Sequence, residues 1–122
     1  LHRLCNSALK KKKILIENGS IQRTFIPSII FVNLINRIIR EGLFLNSLNN
    51  ISYKTLNLKE IAEIIKKRFN LMFNIQINII IRKIYLKKKF FISASNKLKF
   101  PVSNQKINLE IDQILKILKK LK

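Results

Sequence analysis

Along the 122-residue chain, apolar positions fall into stripes at helical spacing and short runs at strand spacing. Leu1–Leu9 reads as a short helix running into the lysines Lys10–Lys13. Ile14–Ile16 and Ile21–Ile26 read as strands on either side of Asn18-Gly19, a dipeptide that favours a hairpin turn. Pro27-Ser28 opens a helix whose Phe31, Leu34, Ile35, Ile38 and Ile39 form one apolar stripe. Asn33, Asn36, Arg37 and Arg40 occupy its other face. Ser28 suits the N-cap, and Gly42 supplies the left-handed residue that ends the helix. Leu43–Leu45 is expected as a short strand before the polar loop Asn46–Asn50.

Asn57-Leu58-Lys59-Glu60 has the form of a capping box, so a second amphipathic helix follows on Leu58, Ile61, Ala62, Ile65 and Phe69. Ile75, Ile77 and Ile79 alternate with Gln76 and Asn78, the signature of a half-buried strand reaching about Tyr85. Lys87–Lys89 then links to a partner strand, Phe90–Ser95. Leu109–Lys122 reads as a last helix with the stripe Ile107, Ile111, Ile114, Leu118 and Leu121. Glu110 and Asp112 are expected in its first turn, with Lys119, Lys120 and Lys122 in its last, complementing the helix dipole. The pattern is α+β.

Charge changes this picture. Lys and Arg number 25 against 6 Asp and Glu, a formal charge of +19. With 48% apolar residues the chain can still bury a core, so charge-driven disorder is not expected. A body so charged seeks a polyanion: nucleic acid or an anionic membrane. The longest charge-free stretches, Thr24–Asn36 and Phe69–Ile81, have 13 residues each, short of the ~20 that span a bilayer. Ile, Lys and Asn supply 24, 19 and 14 residues, nearly half the chain, and their codons are rich in A and T. An AT-rich nuclear genome would leave this mark, and so would an organellar one.

Candidate chemistry is sparse. His2 and Cys5 have the spacing of half a zinc site, but four ligands are needed and no other His or Cys exists. Two glycines rule out a phosphate-cradling loop, and no Ser or Cys nucleophile has an evident base. No metal, no cofactor, no small-molecule substrate and no catalysis are therefore expected. Glu60 and Glu63 are explained by pairing with Lys59, Lys66 and Lys67 on one helix. The basic runs Lys10–Lys13, Lys66-Lys67-Arg68, Lys87–Lys89 and Lys116–Lys122 recur throughout the chain, which suits a protein touching folded RNA on several sides. Phe90, Phe91 and Phe100 lie beside lysines, where they could stack on bases, but they read rather as core residues.

Leu1, Arg3, Leu4 and Asn6 match an L-x-R-[IL]-x-N pattern, and Pro27-Ser28 follows a strand-like segment. Twelve residues after Ser28 comes Arg40-Glu41-Gly42-Leu43-Phe44. Ile79–Tyr85, Phe91-Ile92-Ser93 and Lys97-Leu98-Lys99-Phe100-Pro101 follow in order. Over almost its whole length the chain thus resembles the family of the eighth protein of the small ribosomal subunit. It departs by about ten extra residues between Asn6 and Pro27 and by a helical insertion at 57–69. The family's Ser/Thr/Gly-rich C-terminal motif has no counterpart here.

The resemblance implies an N-terminal α/β part, 1–86, with short helices on a small mixed sheet, and a truncated β-hairpin-plus-helix part, 87–122. It implies a structural protein of a mitochondrial small ribosomal subunit (plastid as second choice), bound to small-subunit ribosomal RNA and neighbouring ribosomal proteins. From the basic runs and the polar face of the helix opened by Pro27-Ser28, Lys10, Lys11, Lys12, Lys13, Arg37, Lys87, Lys88 and Lys89 are expected on RNA. The resemblance adds Arg3, Asn6, Ser93, Lys97 and Lys99. The last helix is expected to pack partly on a neighbouring protein, because so small a core should not cover both its stripe and that of Leu58–Phe69. The rival reading is a basic peripheral membrane or scaffold protein that lays this last helix on anionic lipid.

Overall fold

The computed structural model describes residues 1–41, 54–82 and 103–121. Their order is α1 (His2–Lys11), β1 (Lys13–Ile16), β2 (Gln22–Phe25), α2 (Ser28–Glu41), β3 (Lys54–Asn57), α3 (Leu58–Phe73), β4 (Asn78–Ile81) and α4 (Asn104–Lys120). The fold is α+β, as its pattern predicts. Gly42, the strands expected at Leu43–Leu45 and Phe90–Ser95, and the link Lys87–Lys89 lie outside the described residues.

The strands pair differently from a hairpin. β1 runs parallel to β4, Ile14 opposite Ile79 and Ile16 opposite Ile81, while β2 runs antiparallel to β3, Gln22 opposite Asn57. A two-residue type I′ turn needs positive φ at both central residues. Among the described non-glycine residues only Lys12 and Asn74 have positive φ, so Asn18 does not supply it. Instead the Asn18 Oδ1 accepts from the Ser20 N–H at 3.0 Å and its hydroxyl at 2.7 Å. This local Asx turn sends β2 away from β1. Gly19 rests on the start of α3: its carbonyl accepts from Lys59 N–H at 3.2 Å, and a Cβ would stand 3.4 Å from Ile81 and Lys59 side-chain atoms. β3 is an element that the hydrophobic pattern alone does not predict; only Leu56 in it is buried.

α3 begins where the capping box predicts. Asn57 Oδ1 accepts from Glu60 N–H at 2.8 Å, and the Glu60 carboxylate accepts from Asn57 N–H at 2.7 Å. Glu60 thus serves the cap rather than a lysine. Ile61, Ala62, Ile65 and Phe69 are buried as their spacing requires. α2 is less well foreseen. Ile30 and Leu34 are its buried pair, whereas Phe31 and Ile39 of the expected stripe are 46% and 70% exposed. Four consecutive apolar residues, Ile29–Val32, surround the helix start, so spacing alone leaves its rotation open. Nor does Ser28 act as N-cap. The Pro27 carbonyl accepts from Ile30 and Phe31 N–H at 2.9 and 3.1 Å, and the Ser28 hydroxyl donates to Glu110 of α4 at 2.8 Å.

α4 starts five residues earlier than its charges suggest, with Ser103 Oγ accepting from Gln105 N–H at 3.2 Å. Its buried residues are Ile107, Ile111, Leu115 and Leu118; Ile114 is half-buried and Leu121 is 78% exposed. α4 packs on α1 and α3, sharing one core with Cys5, Ala8, Ile14, Ile65 and Phe69. The expected boundary between the two parts at residue 86 lies outside the described residues. The expectation that one small core could not cover both stripes is corrected for Ile107, Ile111 and Leu118, which are buried in the core shared with α3, whereas Leu121 stays exposed. Replacing Leu115 by Ala is therefore expected to cost about 2–5 kcal/mol in urea unfolding of the isolated chain. Leu121→Ala should stay within about 0.5 kcal/mol; similar losses for both would place α4 outside the core.

Candidate nucleic-acid interface

The three packed helices run the same way, which gathers charges at one end. The starts of α1, α3 and α4 line one cavity, where Leu1, Ile61, Ile64, Ile107 and Ile111 meet. Their ends line another, where Leu9, Lys12, Phe73 and Lys119 meet. Each helix end carries a partial negative charge, so lysines are favoured there. Lys10 and Lys11 fill the last turn of α1, and Lys119 and Lys120 that of α4.

Lys12 adopts the left-handed conformation, φ 52°, that stops α1, and its N–H donates to the Ala8 carbonyl at 3.1 Å. Ser7 Oγ donates to the Lys13 carbonyl at 2.9 Å, tying the turn into β1. At the end of α3, Asn74 takes the same conformation, φ 53°. Phe69 and Phe73, one helical turn apart, meet edge to face with centroids 4.8 Å apart. The Lys12 ammonium stands 5.2 Å from the Phe69 centroid and that of Lys119 4.7 Å from the Phe73 centroid. Both are cation–π distances. The result is an open groove of about 470 Å³, apolar on its walls and cationic at its rim.

Of the residues expected on RNA, Lys10, Lys11, Lys12 and Lys13 are exposed, and Lys12 lines this groove. Arg3 is exposed and Asn6 half-buried along α1. Arg37 lies apart on α2, with Nε 2.8 Å from Glu41 Oε1, so an intrahelical ion pair occupies it. Lys87, Lys88, Lys89, Ser93, Lys97 and Lys99 lie outside the described residues, as do Phe90, Phe91 and Phe100. Sequence reading missed the pairing of Lys12 with Phe69 and of Lys119 with Phe73. The i,i+4 Phe pair closing the α3 stripe beside a lysine-rich helix end was the available signal.

Not every basic residue is free. Arg68 pairs bidentately with Asp112, its Nε donating to Oδ1 at 2.8 Å and its Nη2 to Oδ2. That hydrogen bond raises the guanidinium pKa further, against partial burial. Cys5 is fully buried while His2 is exposed, which separates the two residues of the half-zinc spacing. Burial pushes the Cys5 thiol up to about 11, slightly offset by the chain's N-terminal ammonium. Comparison with protein-family models, curated proteins and solved structures finds no match.

Two measurements follow from these contacts. Arg68→Ala strands the mostly buried Asp112 carboxylate and should cost about 1–3 kcal/mol, whereas Arg68→Met with Asp112→Leu should recover most of it. A loss persisting in the double variant would contradict the pairing. Cys5 reacts only as thiolate. Its labelling by a disulfide reagent should begin near pH 9 in urea but stay negligible in the native chain until pH nears 11. Because the folded pKa is the higher one, stability should decline as pH rises across that window.

Proposed function

We propose that this protein is a structural, non-catalytic RNA-binding component of an organellar small ribosomal subunit, most consistent with a mitochondrial one. The observation that carries the reading is the charge of +19 on a packed α+β body whose acids are largely committed internally. Glu41 pairs with Arg37, Glu60 caps α3, Glu110 holds the start of α2, and Asp112 binds Arg68. Few carboxylates remain to compensate the lysines, so an external polyanion must do so. The resemblance to the small-subunit family narrows that polyanion to ribosomal RNA and adds neighbouring ribosomal proteins as partners.

The lipid reading loses its main support. It needed the apolar stripe of α4 on a membrane, and Ile107, Ile111 and Leu118 of that stripe are buried in the core shared with α1 and α3, which leaves Leu121 exposed. Among the described residues, no helix is long and apolar enough to cross a membrane.

If about six lysines or arginines meet phosphates, log K for RNA should fall against log salt with a slope on the order of −4 to −5. The protein should also co-sediment with small ribosomal subunits and not with anionic liposomes. A slope shallower than about −1, or sedimentation with liposomes alone, would overturn the reading.

A further inference from the structure

The groove at the ends of α1, α3 and α4 combines two properties that backbone binding alone does not require. Its rim is cationic and its walls are apolar and partly aromatic. Building on the RNA-binding reading, the geometry points to this groove as the seat of one unpaired RNA nucleotide. The base lodges among Leu71, Met72 and Phe73, and the phosphate lies between Lys12 and Lys119.

Size permits it. The volume of about 470 Å³ lies in the range of about 300–1,000 Å³ typical of small-ligand sites. The field also favours it. Three helix ends contribute roughly −1.5 elementary charges, whereas Lys10, Lys11, Lys12, Lys119 and Lys120 contribute five full positive ones. An anion is therefore attracted despite the dipoles. Lys12 and Lys119 are already held over the rings of Phe69 and Phe73, so less side-chain freedom is lost when a phosphate binds.

The apolar walls select the rest of the ligand. A duplex presents phosphates but keeps its bases stacked, and so leaves those walls in water. A free phosphate does the same. An unpaired nucleotide supplies both an anion and a planar face that stacks on aromatic or apolar side chains. Leu71 is exposed in the free protein, Met72 and Phe73 are half-buried, and a base laid on them recovers that area. Asn74, exposed at the rim, adds an amide able to donate to and accept from a base edge.

The test uses the full chain and a single-stranded RNA of about ten nucleotides carrying 4-thiouridine, within the site sizes of single-strand binders. Ultraviolet crosslinks are expected on Leu71–Ile75. Lys12→Asn with Lys119→Gln, Asn being tolerant of the left-handed conformation, should flatten the salt slope by roughly 0.7, the share of one phosphate, and weaken single-strand binding on the order of tenfold. The charge-matched control Arg23→Gln with Lys59→Gln, both exposed and away from the groove, should lose less than half as much. RNA binding with crosslinks elsewhere, or equal losses in variant and control, would overturn the groove while leaving the RNA-binding reading standing. Absence of RNA binding by the unaltered chain, with or without binding to phosphatidylglycerol vesicles, would overturn both.

Discussion

The packing of the α3 end between α1 and α4, centred on the fully buried Phe69, governs both the core and the charge distribution. Phe69 belongs to the cluster that holds Ala8, Ile65, Ile111 and Leu115, and its ring carries the edge-to-face contact with Phe73. The same two rings hold Lys12 and Lys119 above them. Shifting α3 along its axis would therefore open the core and scatter the cations together. Structure and charge are coupled at this one place.

A chain of charge +19 repels itself, and apolar burial has to exceed that repulsion. The helix directions ease the conflict. Three C-terminal dipoles point at the densest lysines, which lowers their mutual repulsion without neutralising them. The few acids act as ties between elements. Glu110 joins α4 to the start of α2, and Asp112 joins α4 to α3 through Arg68. With those carboxylates spent inside the fold, the lysines stay available to an outside anion. The basic surface follows from 25 Lys and Arg set against only 6 acids.

Local chemistry was the legible part. The α3 cap was readable because Asn57 and Glu60 bond to backbone three residues away, a distance the chain carries with it. The buried set Ile61, Ala62, Ile65 and Phe69 followed from helical spacing, since only one face of α3 is apolar. The lysine run closing α1 was legible for the same reason, as a charge preference tied to a helix end.

What only the tertiary structure decided lies wherever several local answers were equal. Asn18-Gly19 announces a turn but not its hand, and the partners of Ile14 and Ile16 came from β4, more than sixty residues away. The rotation of α2 was open because apolar residues surround its start, and the true phase of α4 ran through Leu115 once α1 and α3 offered it a surface. The groove joins residues from three helices, and no window of sequence contains Lys12, Phe73 and Lys119 together. Spacing and capping act within a turn or two of backbone, so sequence alone determines the α3 start and the apolar face of α3. Strand partners, helix rotation and the meeting of distant cations depend on the shape of the shared core, which exists only after the chain has folded.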